Sequence, residues 1–322
     1  MTPEQIETRL DLWPGLNGAT ATLINLSENH TFRLDTPDGR HHVLRVHRPG
    51  YHTRQGIESE LAWLAALRQD TDLPTVTSLP GKNSNMLQYI HFPETGMATF
   101  AVLFEFEPGQ NAEELDDLTA LFTDLGRMSA ICHRHAETWQ IPAFFERPVW
   151  DDKAVLNPNG PWGDWRTTPG VTPEISRLLE RLDAQLRKDL AAYGREKHRF
   201  GLIHADMRLA NLLVHEGQTR LIDFDDCGFG WFAYDFAAAV SFFEDDAQVP
   251  ALKAAWLDAY RRERPFSAVD EAAMDTTLLL RRMALLAWIG SHAETELAQS
   301  CLPDFAENTA KMADIYLSVS VI

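Results

Sequence analysis

Cysteine is scarce in this chain of 322 residues: Cys132, Cys227 and Cys301 are the whole complement, and no two form a CxxC pair. That excludes a disulfide framework and a thiolate zinc site, and it suits a reducing compartment. Basic residues are short as well, 29 against 47 acidic ones, for a net charge of -18. So acidic a chain argues against nucleic acid or an anionic membrane as partner, because both are bound by clustered positive charge. Solubility is one reading of the acid excess, and a cationic substrate is the sharper one. No apolar run reaches the roughly 18 residues of a membrane span, and the opening MTPEQIETRLDLW is too acidic for a signal peptide, so a cytoplasmic location is expected. Repeats and low-complexity tracts are missing too. What is present, 45% apolar and 24% charged residues, is the make-up of a globular protein with a full core.

Along the first hundred residues, 3–13 read as a short amphipathic helix stopped by Pro14-Gly15. Strands are expected over 21–26, 30–35 and 41–47, with Thr36-Pro37-Asp38-Gly39 supplying a hairpin turn. In the third strand Val43, Arg45 and His47 share one face and Leu44 and Val46 the other. A helix over 54–69 follows, with Ile57, Leu61, Leu64 and Leu67 as its buried stripe. Glu60 falls on that stripe and needs a partner, for which Arg45 is the natural choice, while Glu58 falls on the far side as a solvated charge. Two or three further strands are expected, over 75–79, 86–90 and 99–106, the last ending at Pro108-Gly109. The expectation is an α+β chain of two lobes: 1–108 with a five-stranded antiparallel sheet and one helix, and 109–322, mainly helical.

In the second lobe the apolar spacing predicts helices over 112–137, 173–197, 233–245, 250–263, 268–296 and 303–318. His133 and His135, two apart on a helix, diverge and read as capping and packing rather than a metal site. The stretch 139–171 is irregular and rich in Pro, Gly and Trp; its rings either line a substrate pocket or cover the helical core. Between these parts lies the chemistry. Short apolar runs at Gly201-Leu202-Ile203 and Thr219-Arg220-Leu221-Ile222 alternate with loops that hold His204, Asp206, Arg208, Asn211, Asp223, Asp225 and Asp226. Carboxylates and an amide at strand ends can hold a divalent cation such as Mg²⁺ beside a reacting hydroxyl.

On the segments His204-Ala205-Asp206, Asn211-Leu212-Leu213, Leu221-Ile222-Asp223-Phe224-Asp225-Asp226 and Tyr234-Asp235-Phe236-Ala237, the chain resembles the aminoglycoside phosphotransferase and choline kinase superfamily. These are small-molecule kinases of protein-kinase-like fold, and the resemblance covers nearly the whole chain. It implies Asp206 as catalytic base, Asn211 and Asp223 as magnesium ligands with Asp225 in second place, and Asp235 as a brace for the catalytic loop. Arg208 stands where a lysine touches the transferred phosphate in protein kinases; a local salt bridge is its plainer reading. His204 is expected to hold the loop. Arg45 and Glu60 match the pair set around the nucleotide phosphates, although the family usually has lysine in place of the arginine. Leu26-Ser27-Glu28-Asn29-His30 lacks the glycines of a phosphate-covering loop, which leaves backbone N–H groups near Ser27 and Asn29 to reach a phosphate. The hinge implied at Glu105-Phe106-Glu107 meets adenine with its backbone. The implied function is ATP-dependent transfer of phosphate to a hydroxyl of a small, cationic metabolite. A protein serine/threonine kinase, a pseudokinase that regulates a partner and a metal-dependent phosphohydrolase are the alternatives.

Overall fold

The structure is a computed structural model and describes residues 1–26, 29–115 and 117–319. In chain order the first elements are α1 (Pro3–Glu7), β1 (Thr20–Leu26), β2 (Asn29–Asp35), β3 (His41–His47), α2 (Arg54–Asp70), β4 (Ser78–Leu79), β5 (Leu87–Phe92), β6 (Met97–Glu105) and β7 (Gln110–Asn111). Then come α3 (Thr119–Thr138), β8 (Val149–Trp150), α4 (Asp152–Val155), α5 (Pro173–Tyr193), β9 (Phe200–Ile203), β10 (Leu212–His215), β11 (Gln218–Leu221) and β12 (Gly228–Trp231). The chain closes with α6 (Tyr234–Ala239), α7 (Val249–Glu263), α8 (Ala268–Ser291), α9 (Glu296–Cys301) and α10 (Phe305–Val319). Two compact units divide them: Met1–Gln110 with Gln140–Arg147 and Leu213–Asp225, and Asn111–Trp139 with Pro148–Leu212 and Asp226–Ile322. Two late segments, 140–147 and 213–225, thus cluster with the first unit rather than with the helices around them in sequence.

In the first unit β1, β2, β3 and β6 run antiparallel in that order, and β4 and β5 share the far edge of β6. The sheet therefore has six strands where five were expected. Strand alternation decides what each face holds. Leu44 and Val46 bury into one cluster with Ile6, Leu10 and Trp13, so the N-terminal turn of chain covers that face. Arg45, on the alternate register, reaches α2 instead. α2 is capped by the Thr53 hydroxyl, which accepts from Gly56 N, and its buried stripe of Ile57, Leu61, Leu64 and Leu67 carries Glu60 inward. The hairpin of β10 and β11 turns through Glu216 and Gly217 at φ 49° and 75°, the two positive angles that a tight hairpin turn of right-handed twist demands. Leu221 N donates to Pro74 O at 3.0 Å and the Thr75 hydroxyl to Leu221 O at 2.8 Å, which fixes where β11 releases Asp223.

The second unit is helical apart from a small sheet in which β12 pairs with β8 and β9. Trp150, Trp162 and Trp165 belong to its buried core, so those rings of the irregular stretch cover the helical core. α3 and α7 cross at Gly126, where a Cβ would run into the Trp256 carbonyl. Several helices are shorter than their apolar spacing predicts, for local reasons. Asp117 accepts from Thr119 N and starts α3 late, after a 3₁₀ turn over Ala112–Glu114. α5 stops at Tyr193 because Gly194 takes φ 84°, and α6 stops at Ala239 ahead of Phe242 at φ 75°. The expected helix 268–296 breaks after Ser291, and Thr295 caps a separate α9. No helix among the described residues is long and apolar enough to cross a membrane.

Candidate active site

The first unit gathers one arginine and three carboxylates. Arg45 Nη2 donates to both oxygens of Glu60, at 2.7 and 2.6 Å, with Glu60 only 1% exposed. Its Nη1 donates to Asp223 Oδ1 at 3.1 Å and lies 3.8 Å from Asp225 Oδ1. Burial works against the Arg45 charge, but Glu60, Asp225 and Asp223 outweigh it and hold the guanidinium more firmly protonated than usual. The two later acids differ. Asp223, at φ 56° just past β11, has a side chain 42% exposed. Asp225 is 9% exposed, its Oδ2 accepts from Asn29 Nδ2 at 2.8 Å and lies 3.0 Å from His52 Nε2, and its backbone carbonyl accepts from Arg147. Its Oδ1 is buried without a hydrogen-bond partner. Burial would raise the Asp225 carboxyl, yet Arg45 and then His52 hold it well below the usual carboxylate range. His47, beside them, is pushed down to about 3 by burial and by Arg45.

In the second unit a strained loop carries Asp206. Ala205 stands at φ 68°, a conformation that costs an alanine about 1–2 kcal/mol unless held. Asp235 holds it from α6: Oδ1 accepts from Ala205 N at 2.7 Å and Oδ2 from His204 N at 3.2 Å. Behind it His133 donates from Nε2 to Asp235 at 2.9 Å and takes the Tyr260 hydroxyl at Nδ1 at 2.8 Å, so both ring nitrogens of this histidine are used in bracing Asp235. Asp206 Oδ2 accepts from Asn211 Nδ2 at 2.7 Å and from Arg208 Nε at 3.3 Å, while Oδ1 takes Arg281 Nη2 at 2.6 Å. Burial tends to raise the Asp206 carboxyl, and Arg281 and Arg208 more than reverse that, leaving it below its ordinary value and ionised. Asn211 donates with its nitrogen to Asp206 O and Oδ2, which turns its amide oxygen away from Asp206.

Of the residues singled out by sequence, the first unit brings Arg45, Glu60, Asn29, Asp223 and Asp225 together, and the second brings Asp206, Arg208 and Asn211 together. Ser27 lies outside the described residues. At Glu105 the backbone N–H is taken by Thr77 O at 2.9 Å. Phe106 is flanked by Arg33 at 5.2 Å and His41 at 5.6 Å from its ring. Sequence reasoning passed over Arg281, although a signal was there: Arg281-Arg282 interrupts an otherwise apolar run in α8. His47, His52 and Arg147, which surround Asp225, carried no comparable signal.

The sequence profile of the phosphotransferase enzyme family matches residues 20–266. The solved structure of a microcompartment-associated aminopropanol kinase is 37% identical, with a TM-score of 0.90 over 98% of this chain and 97% of that one. Amicoumacin kinase from Bacillus subtilis (strain 168) is 24% identical over 214 residues, a stretch that takes in 66% of this chain but 59% of that enzyme, less than two thirds of its length. The structure of an amicoumacin kinase in complex with AMP-PNP, Ca²⁺ and Ami is 19% identical, with a TM-score of 0.77 over 97% of this chain and 94% of that one. The α+β, protein-kinase-like fold implied by the sequence is the fold of these structures.

Proposed function

This chain belongs to the phosphotransferase enzyme family, and from that premise we propose that it moves the γ-phosphoryl group of ATP to a hydroxyl of a small metabolite. The state of Asp206 carries the reading: an ionised carboxylate, held on both oxygens, on a loop braced by Asp235. The relatives act on small molecules by name, which favours a metabolite over a protein acceptor. An amino alcohol is the finer choice, because a relative 37% identical is an aminopropanol kinase and the net charge of -18 favours a cationic acceptor.

Asp206 accepts the proton of the acceptor hydroxyl. A carboxylate held below its usual pKa is a weak base, which suits phosphoryl transfer, where the loose transition state asks the base chiefly to orient the nucleophile. Arg208, at 3.3 Å from Asp206 and partly exposed, is assigned to the transferred phosphate. Arg45, braced by Glu60, is assigned to the nucleotide phosphates with backbone near Asn29, and the hinge around Phe106 to the base. Among the described residues no group of three or more His, Cys, Asp or Glu side chains is arranged to hold a metal alone. That fits magnesium, which keeps most of its water and binds through one or two carboxylates plus phosphate oxygens. The exposed Asp223, the amide oxygen of Asn211 and the orphaned Oδ1 of Asp225 are the groups assigned to it. A bound Mg²⁺ supplies neutralisation of phosphate charge. The test is a screen of amino alcohols, amino acids, sugars and aminoglycosides for stimulated ATP consumption, repeated with Asp206→Asn. We expect an amino alcohol to stimulate, and the variant to bind MgATP as before while turnover falls about a hundredfold or more. Unchanged turnover in the variant would remove Asp206 from the mechanism.

A further inference from the structure

We infer that Arg281 is the positioning residue of this transfer: it locks Asp206 by gripping both its carboxylate and the peptide carbonyl that precedes it. The inference rests on the reading of Asp206 as base. Arg281 sits on α8, 1% exposed, in a helix otherwise apolar around it. Each of its three nitrogens is engaged. Nη2 meets Asp206 Oδ1 at 2.6 Å, Nη1 meets Ala205 O at 3.3 Å, and Nε meets the Ser241 hydroxyl at 3.0 Å. The Trp162 and Tyr234 rings lie 5.1 and 5.9 Å from the guanidinium carbon.

A buried ion pair is a poor source of stability compared with apolar residues in the same space, so its use here calls for a gain in geometry. The geometry is specific. Ala205, left-handed, is held at both of its own backbone polar groups, its N–H by Asp235 and its carbonyl by Arg281. With Oδ1 pinned, the carboxylate has no freedom about Cβ–Cγ, and Oδ2 stays on Asn211 and Arg208. Without the pin, Asp206 turns and pairs with Arg208 through both oxygens, drawing that arginine off its proposed phosphate. The neighbouring Arg282 is the internal control. It is equally buried and pairs with Glu244 at 2.5 Å and Thr309 at 2.9 Å, with no bond to the catalytic loop.

The experiment measures kcat and KM, per folded enzyme, for Arg281→Ala, Arg281→Lys, Arg282→Lys and the double variant Arg281→Ala with Asp206→Asn. Arg281→Ala is expected to lower kcat about a hundredfold, the scale of losing a positioned base, with KM for ATP within about threefold. Arg281→Lys restores part of kcat, and Arg282→Lys stays within about threefold while unfolding earlier. Because Arg281 acts through Asp206, removing it from Asp206→Asn adds less than about threefold. If Arg281→Ala does not accumulate as folded protein, Arg281→Lys and Ser241→Ala carry the test, each expected to lower kcat several-fold at constant KM. Wild-type turnover with kcat unmoved by these variants, or a loss that multiplies on Asp206→Asn, overturns the inference alone. A wild-type chain that phosphorylates none of the acceptors overturns it together with the kinase reading.

Discussion

Replacing Arg45 with methionine removes the guanidinium that Glu60, Asp223 and Asp225 share, and Glu60 is then a carboxylate with 1% exposure and both oxygens stripped of donors. Breaking a buried pair from one side costs roughly 3–5 kcal/mol, because the surviving charge has neither water nor a partner. Against a total stability of about 5–15 kcal/mol, that is a large share. The double change to Arg45→Met with Glu60→Leu removes both charges and fills similar space, and such swaps are close to neutral. It is therefore expected to recover about 2–3 kcal/mol of the loss. Recovery stops short of complete because Asp225 has also lost Arg45, although it keeps Asn29 at 2.8 Å and His52 at 3.0 Å. Arg45→Lys separates charge from shape: an ammonium cannot fork towards Glu60 and Asp223 together, and one lost charge-assisted hydrogen bond is worth about 1.5–3 kcal/mol. Urea unfolding midpoints of the four proteins decide the matter. A double variant as unstable as Arg45→Met alone, or a loss under about 1 kcal/mol in Arg45→Met, refutes the reasoning.

Three further outcomes are expected. Asp223→Asn weakens binding of an ATP analogue about tenfold or more with Mg²⁺ present and leaves metal-free binding alone; calorimetric titrations that respond equally with and without metal exclude the assignment. His133→Leu strips Asp235 of a donor and Tyr260 of an acceptor in a fully buried place, which is expected to cost about 2–3 kcal/mol and to lower kcat through the loosened Ala205 turn; a melting temperature within a degree or so of wild type counts against the brace. His47, with its pKa about 3 when folded against 6.5 as reference, refuses a proton that the unfolded chain accepts, so its contribution to stability is intact above about pH 6.5 and falls as pH drops towards 3. At about pH 5 the loss is about 2 kcal/mol, and His47→Gln should flatten that slope in denaturant titrations; an unchanged slope sinks the account.

Strand alternation and helix periodicity were enough to place Arg45 opposite Glu60, because both are local rules with fixed periods, and a buried acid on an apolar stripe has few ways to be satisfied. The loop acids were legible for a different reason: Asp206, Asn211 and Asp223 sit at set distances along one stretch of chain. What escaped was contact from afar. Arg281 reaches Asp206 across 75 positions, and Asn29 reaches Asp225 across 196. No periodicity carries such pairings. Helix ends escaped for the opposite reason, being too local: the turn at Asp117, Gly194 at φ 84° and Phe242 at φ 75° each overrule an apolar pattern that runs on past them. The tryptophans of 139–171 remained open in sequence because an amphipathic ring serves a pocket or a core equally well, and burial alone separates the two uses.

The charge count in each unit points to different partners. Around Arg45 three carboxylates converge on one guanidinium, and His47 beside them is neutral near neutral pH, so even with Arg147 at the Asp225 carbonyl this group is short of positive charge. Around Asp206 the ratio on the carboxylate itself is reversed, with Arg281 and Arg208 both on it, although Asp226 also acts on Arg281. Left to itself each imbalance is a cost, since like charges in poorly hydrated places repel. Under the proposed function a divalent cation would offset the first and a phosphoryl group the second. A hydrolase built on an acid cluster has no use for the second arginine, and a binding module has no use for an ionised carboxylate held rigid on both oxygens. The proposed phosphoryl transfer would use both, because it needs positive charge around the phosphates and an acceptor hydroxyl oriented by a fixed carboxylate, the part assigned to Asp206.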